Sequence, residues 1–190
     1  MRYRQILCTG YPRSGTHYIT ALISINFLDD ADYLKIYRNH EFPDLVQDAN
    51  TAYIHIWRDF EGIAKSIYVL KERFGLDVGS YEEFLKGSYS DMWKMKDPDK
   101  VVINARNLWG RVKIKGISDF FKDVDMKPRE FWEHYNGVWL ECTKENPNVL
   151  SIKYDDVIDN FKSTMVSLAV RLGSDLTEFK SIARKVGFWK

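Results

Sequence analysis

The sequence predicts an α/β domain built in three layers, a mostly parallel central sheet flanked by helices. Three observations predict it. A short apolar run, Ile6-Leu7-Cys8, breaks at Gly10, turns through Tyr11-Pro12-Arg13-Ser14-Gly15, and opens into an apolar stretch with helical spacing. A second run, residues 52–57, is nearly all apolar or aromatic, as in a strand covered on both faces of a parallel sheet, and a helical pattern follows it. A third, residues 149–154, precedes an amphipathic segment stopped by Gly173. With 190 residues the chain fits one domain, 1–190, with a sizeable core.

Taken in order, the first helix is expected from 16 to about 28, with Ile19, Leu22, Ile23 and Phe27 turned to the sheet. Asp29-Asp30-Ala31-Asp32 is a polar break. The stretch around His40 reads as loop closed by Pro43, and residues 44–47 lead to the second strand. That strand delivers Arg58 and Asp59 at its carboxyl end, where ligands gather in open α/β sheets. A helix from 61 to about 74 carries Ile63, Ile67 and Leu70 on one face and Ser66 in its second turn. Residues 75–128 are punctuated by Gly75, Gly79, Ser80, Gly87, Ser88 and Pro98, with short helices expected at 81–86 and about 101–112. The helix at 131–144 ends before Pro147, and the last, 160–172, presents Phe161, Met165, Leu168 and Leu172.

Composition excludes several classes. Basic and acidic residues number 28 and 27, a net charge of +1, so neither a nucleic-acid surface nor an acidic-membrane surface is expected. No long apolar run follows Met1-Arg2-Tyr3-Arg4, which argues against a signal peptide, a transit peptide or a transmembrane helix and for a cytoplasmic protein. Of the two cysteines, Cys8 reads as a small buried residue in a strand, and Cys142 lacks metal-ligand spacing. The number of subunits is left open.

The chemistry starts at the glycine loop. Strand, glycine-bracketed turn and helix together aim backbone N–H groups and the positive end of a helix dipole at one anion. Gly10 and Gly15 have P-loop spacing. A nucleotide-hydrolysing loop places Lys after the second glycine, then Ser or Thr to help hold magnesium. Here Thr16 follows Gly15 directly and the loop's one cation is Arg13. The loop is therefore equipped to hold a phosphate with its amides, the Thr16 hydroxyl and one guanidinium, without the triphosphate-and-metal apparatus. A plain strand-turn-helix is the alternative.

Tyr11-Pro12-Arg13-Ser14-Gly15-Thr16-His17-Tyr18 resembles the 5′-phosphosulfate loop, Y-P-[KR]-S-G-T-T-W, of sulfotransferases that use 3′-phosphoadenosine 5′-phosphosulfate (PAPS). Three further segments follow in that family's order. Lys35 to Pro43 is similar to the K-x-H-x-x-P stretch. Residues 52–59 with Ala64-Lys65-Ser66 are similar to the strand ending in Arg-[DN]-Pro and its helix with a serine eight residues on. Residues 149–157 are similar to V-L-x-L-x-Y-E-D-L. The terminal Arg184-Lys185-Val186-Gly187 resembles a shortened R-K-G-x-x-G. Phe60 stands where the family has proline, and His17 and Tyr18 replace Thr and Trp.

The resemblance implies roles. Arg13, Ser14, Gly15, Thr16 and His17 would hold the 5′-phosphate, Arg13 also meeting charge on the bridging oxygen. Arg58 and Ser66, with Arg184 and Lys185, would grip the 3′-phosphate, and Tyr18 and Tyr154 would contact adenine. His40 would be the general base and Arg38, in place of a lysine, would stabilise the transferring sulfuryl group. PAPS is then the donor, 3′-phosphoadenosine 5′-phosphate (PAP) the product, no metal is required, and the acceptor is a small molecule or glycan bearing a hydroxyl or amine. Residues 75–128 would shape the acceptor side. Two rivals stand beside this reading: a P-loop kinase, which needs a strand-end carboxylate such as Asp59 for magnesium, and a nucleotide-binding module without activity.

Overall fold

The computed structural model describes residues 1–28, 33–43, 48–94, 112–114 and 120–182, the segment 112–114 as backbone only. Along the chain these form β1 (Gln5–Thr9), α1 (Thr16–Phe27), β2 (Lys35–Arg38), β3 (Thr51–Trp57) and α2 (Phe60–Val69) with a 3₁₀ turn at Lys71–Phe74. Then come α3 (Tyr81–Lys86), α4 (Tyr89–Met92), β4 (Val112–Ile114), α5 (Pro128–Glu145), β5 (Val149–Lys153), α6 (Tyr154–Asp159) and α7 (Phe161–Leu172).

The sheet runs β4-β2-β1-β3-β5 with every pairing parallel. Gln5 of β1 pairs with Lys35 on one side and Thr51 on the other. From β1 the chain goes to one neighbour, β2, and then crosses to the other, β3. That reversal opens a crevice at the carboxyl ends of the central strands, the position at which doubly wound sheets bind ligands.

Strand alternation assigns the layers. Ile54, Ile56, Cys8 and Ile36 point to one face and pack with Ile19, Leu22 and Ile23 of α1 and Met165, Leu168 and Leu172 of α7. Tyr53 and Val149 point to the other, joining Ile63 and Ile67 of α2, Phe84 of α3 and Phe131, Tyr135 and Trp139 of α5. Burial on both faces is why β3 reads as an unbroken apolar run. Cys8 is fully buried, and burial pushes its thiol up to about 12. An extended segment after α7 is tied to α1 by Asn26, whose side chain accepts from the Lys180 N–H at 2.7 Å and donates to the Lys180 carbonyl at 2.9 Å.

Several expectations are corrected. The stretch before His40 is not all loop, since Lys35–Arg38 is a strand with Ile36 and Arg38 buried. The helix expected at 61–74 is α-helical only to Val69, and Gly75 (φ 69°) closes the tighter turn after it. Tyr154 begins α6 rather than ending β5. Helix α5 starts at Pro128, whose ring pre-sets the first helical φ. The polar break at 29–32, the link at 44–47 and the body of the helix expected at 101–112 lie outside the described residues, and Val112 begins a strand.

Candidate functional site

The glycine loop leaves β1 pressed against its neighbours. A Cβ on Gly10 would sit 2.2 Å from the Ile56 carbonyl oxygen and 2.5 Å from Ser14 Oγ, so only glycine lets the loop cross β3 here. Gly15 has φ 107°, and a Cβ there would lie 2.3 Å from the Tyr154 ring. Arg13 is itself left-handed at φ 72°, a conformation that costs an ordinary residue energy and marks functional turns. Helix α1 then begins at Thr16 with no side-chain cap and no acidic residue in its first turn. The Tyr18 and Ile19 N–H groups donate to the Gly15 carbonyl at 2.9 and 3.1 Å, closing the first turn, and the positive end of the helix faces the loop. Ser14 Oγ, fully buried, has no hydrogen-bond partner among the described residues.

The segment after β3 closes on this loop. Arg13 Nε donates to Ser66 Oγ at 2.8 Å, joining the loop to α2. The Arg58 guanidinium lies 5.1 Å from the centre of the Tyr154 ring and beside Gly62, where a Cβ would stand 3.3 Å from its terminal nitrogen. Tyr154 meets Tyr18 edge to face at 6.0 Å. Asp59 is turned to Lys153, 3.1 Å away. Partial burial, then the charges of Arg73 and Arg58, hold the Arg13 guanidinium below its usual range. No motif in the sequence marks Arg73, which lies in the 3₁₀ turn after α2.

Beyond β2 the chain carries Arg38 and His40, each 8% exposed. Asn39 N–H donates to the Cys8 carbonyl at 3.1 Å, extending the β1–β2 pairing by one step. His40 Nδ1 lies 2.6 Å from the Gly10 carbonyl oxygen. A carbonyl only accepts, so Nδ1 carries the proton and neutral His40 has its lone pair on Nε2. Burial pushes its pKa down to about 4, the Gly10 carbonyl opposing and Arg38 reinforcing the shift. Arg38 Nε and Nη1 are buried without a hydrogen-bond partner among the described residues, and burial lowers that guanidinium to about 10. His17 stands exposed on the first turn of α1. Burial of part of its ring disfavours its proton most, then the charges of Arg38, His40 and Arg13.

An aromatic wall adjoins the imidazole. Phe120 meets His40 edge to face at 6.0 Å, and Tyr11, Phe131 and Tyr135 ring Phe120 at 5.9, 5.4 and 5.8 Å. The other two histidines serve elsewhere. His55 is buried between Ser151 and Asn136, stacked on Trp139 at 5.5 Å, and His134 lies on the outer side of α5 beside Phe42. Arg13, Ser14, Gly15, Thr16, His17, Tyr18, Arg38, His40, Arg58, Ser66 and Tyr154 therefore gather around the ends of β1, β2, β3 and β5. Arg184 and Lys185 lie outside the described residues.

The sulfotransferase domain family matches residues 33–186. The chain belongs to the sulfotransferase domain family. Its match begins after the glycine loop, so residues 10–18 rest on their own geometry. Among curated proteins, cytosolic sulfotransferase 14 of Arabidopsis thaliana is 40% identical over 48 residues, a quarter (25%) of this chain and 14% of that one. A mouse sulfotransferase, SULT7A1, solved with PAP, shares the fold at a TM-score of 0.59 and 16% identity, over 92% of this chain. Retinol dehydratase, solved with androsterone and PAP, does so at 0.55 and 10% identity, over 93% of this chain. The chain spans 60% and 61% of these two structures. Among the described residues no helix is long and apolar enough to cross a membrane.

Proposed function

We propose that the chain is a PAPS-dependent sulfotransferase, moving a sulfuryl group from PAPS to a hydroxyl or amine acceptor and releasing PAP. One observation carries this reading. Three guanidinium groups without a carboxylate partner among the described residues, and a buried neutral imidazole, converge on the crevice where the sheet reverses. Buried donors left unpaired are costly, and an anion relieves that cost. Ser14 Oγ with Arg38 Nε and Nη1 are such donors, so the residues present fit a phosphosulfate.

In this reading Arg13, Ser14, Gly15, Thr16 and His17 surround the 5′ end. Arg58 and Ser66, with Arg184 and Lys185, hold the 3′-phosphate, and Tyr18 and Tyr154 flank the base. The donor brings an activated S–O bond. Arg13 stabilises charge on the departing oxygen and Arg38 the charge on the sulfuryl oxygens, which is the electrostatic part of the catalysis and calls for no metal. His40 Nε2 accepts the proton of the attacking acceptor as its bond to sulfur forms. Burial is the main cause that depresses His40; pairing Arg38 with an anion would remove the smaller, repulsive part and strengthen the base to that extent. In this reading the aromatic wall around Phe120 would form the acceptor side, which suits a small organic acceptor.

The kinase alternative lacks its lysine after Gly15, and its strand-end carboxylate, Asp59, is engaged by Lys153. Thermal denaturation separates the two readings. PAP without magnesium is expected to raise the melting temperature, by a stabilisation of about 2.7 kcal/mol at a hundredfold excess over its Kd. A larger rise with ATP and magnesium would hand the site to the kinase. Binding of PAP with no turnover of any acceptor would leave the inactive module.

A further inference from the structure

Three donors from two elements converge on one backbone oxygen, the carbonyl of Glu41, the residue after His40. Tyr135 Oη donates to it at 3.1 Å, Trp139 Nε1 at 3.2 Å and Thr9 Oγ1 at 3.4 Å. The Thr9 and Tyr135 hydroxyls also lie 3.1 Å apart. All three side chains are buried, at 0%, 0% and 1% exposure for Thr9, Tyr135 and Trp139. Tyr135 and Trp139 are four residues apart on α5, so one helix face presents both polar atoms to a single acceptor. A carbonyl has two lone pairs, which the Tyr135 hydroxyl and the Trp139 indole N–H fill, and the longer Thr9 contact is shared with the Tyr135 oxygen. Sheet pairing of this segment ends with the Asn39 N–H on Cys8, so the peptide beyond His40 is fixed by α5 and by Thr9 at the end of β1.

We propose that Tyr135 and Trp139 are positioning residues for His40, clamping the peptide that follows it so that the imidazole keeps its place against the Gly10 carbonyl. The proposal rests on the reading of His40 as the base. Either aromatic ring would fill the core without its polar atom, since Phe131 does so one turn earlier on the same helix. What the hydroxyl and the indole N–H add is a fixed distance between α5, the end of β1 and the His40 loop. Releasing the clamp admits water to the ring.

The test is Tyr135→Phe combined with Trp139→Phe, with Tyr135→Phe alone, one oxygen removed, as the variant that covers a failure of the pair to fold. Histidine C2-proton titration by NMR is read in each, the His40 resonance being assigned by its loss in His40→Ala. Expected is a titration that moves up from about pH 4 towards the ordinary histidine range of about 6.5. PAP affinity stays within about twofold. Release of PAP from PAPS with 2-naphthol as acceptor falls about tenfold beside His40 and not at all in the His40→Ala background. A His40 titration that does not move overturns the clamp, as does an equal loss of turnover in both backgrounds. Full turnover by His40→Ala itself would instead remove the base, and the clamp with it.

Discussion

At the scale of single residues the site separates binding from chemistry. Among the described residues, the hydrogen bond of His40 is to the Gly10 carbonyl and not to a side chain assigned to the donor's phosphates. His40→Ala is therefore expected to lower kcat by about 10²–10⁴-fold, the range for a general base, while the PAP-induced shift in melting temperature is kept. Loss of that shift would make His40 a donor ligand. Arg58 predicts the opposite pattern. A charge-assisted hydrogen bond to a phosphate contributes about 2 kcal/mol, roughly thirtyfold in affinity. Arg58→Ala should lose about that factor for PAP and little for adenosine 5′-monophosphate, which lacks the 3′ group. Titration calorimetry of both ligands checks it, and an unchanged ratio removes Arg58 from the 3′ pocket.

At the scale of elements, two glycines of similar appearance have opposite roles. Gly15 holds a left-handed φ of 107° with the Tyr154 ring in the place of a side chain, so Gly15→Ala should cost at least about 1–3 kcal/mol and abolish the PAP shift. Gly137 lies in the interior of α5, where an added Cβ would meet nothing within 4 Å, so Gly137→Ala should stabilise by about 1 kcal/mol through helix propensity alone. Urea unfolding of the two variants measures both. The same contrast explains what the sequence discloses. The β1 loop is legible because glycines at a fixed spacing, a preceding apolar run and a following helical period all agree. Strand β2 is not, because Lys35-Ile36-Tyr37-Arg38 carries one buried apolar residue between charges, and its buried Arg38 reads as surface until the fold shows it. The grip on Glu41 is invisible for another reason. Its donors on α5 lie 94 and 98 residues away and act on a backbone oxygen, which leaves no trace in residue type.

At the scale of the whole molecule, the buried histidines tie stability to pH. His55 has both ring nitrogens engaged: Asn136 donates its amide to the Trp132 carbonyl, so its Oδ1 accepts from His55 Nε2, and Nδ1 accepts from Ser151. Burial holds His55 down to about 3, with the Asn136 bond opposing, and His40 to about 4. In the unfolded chain both return to about 6.5. Between those values the unfolded state binds more protons than the native one, so their contribution is complete above about pH 6.5 and is lost as pH falls towards 4 and then 3. From pH 7 to pH 5 each costs about 2 kcal/mol of folding free energy. The exposed His17 adds less, because water can reach its charged form. Carboxylates such as Asp48 and Glu83, held below their usual range by backbone N–H groups, contribute in the same direction only at more acid pH. Urea unfolding at pH 7, 6 and 5 should therefore show a steep acid loss in a protein whose sheet and charge balance are otherwise indifferent to this range. His55→Gln, which keeps an amide able to bond Asn136 and carries no titrating group, should remove about half of the slope. A wild-type stability that is flat down to pH 5 would mean that both imidazoles take up protons in place, and that the interior beneath α5 is open to water.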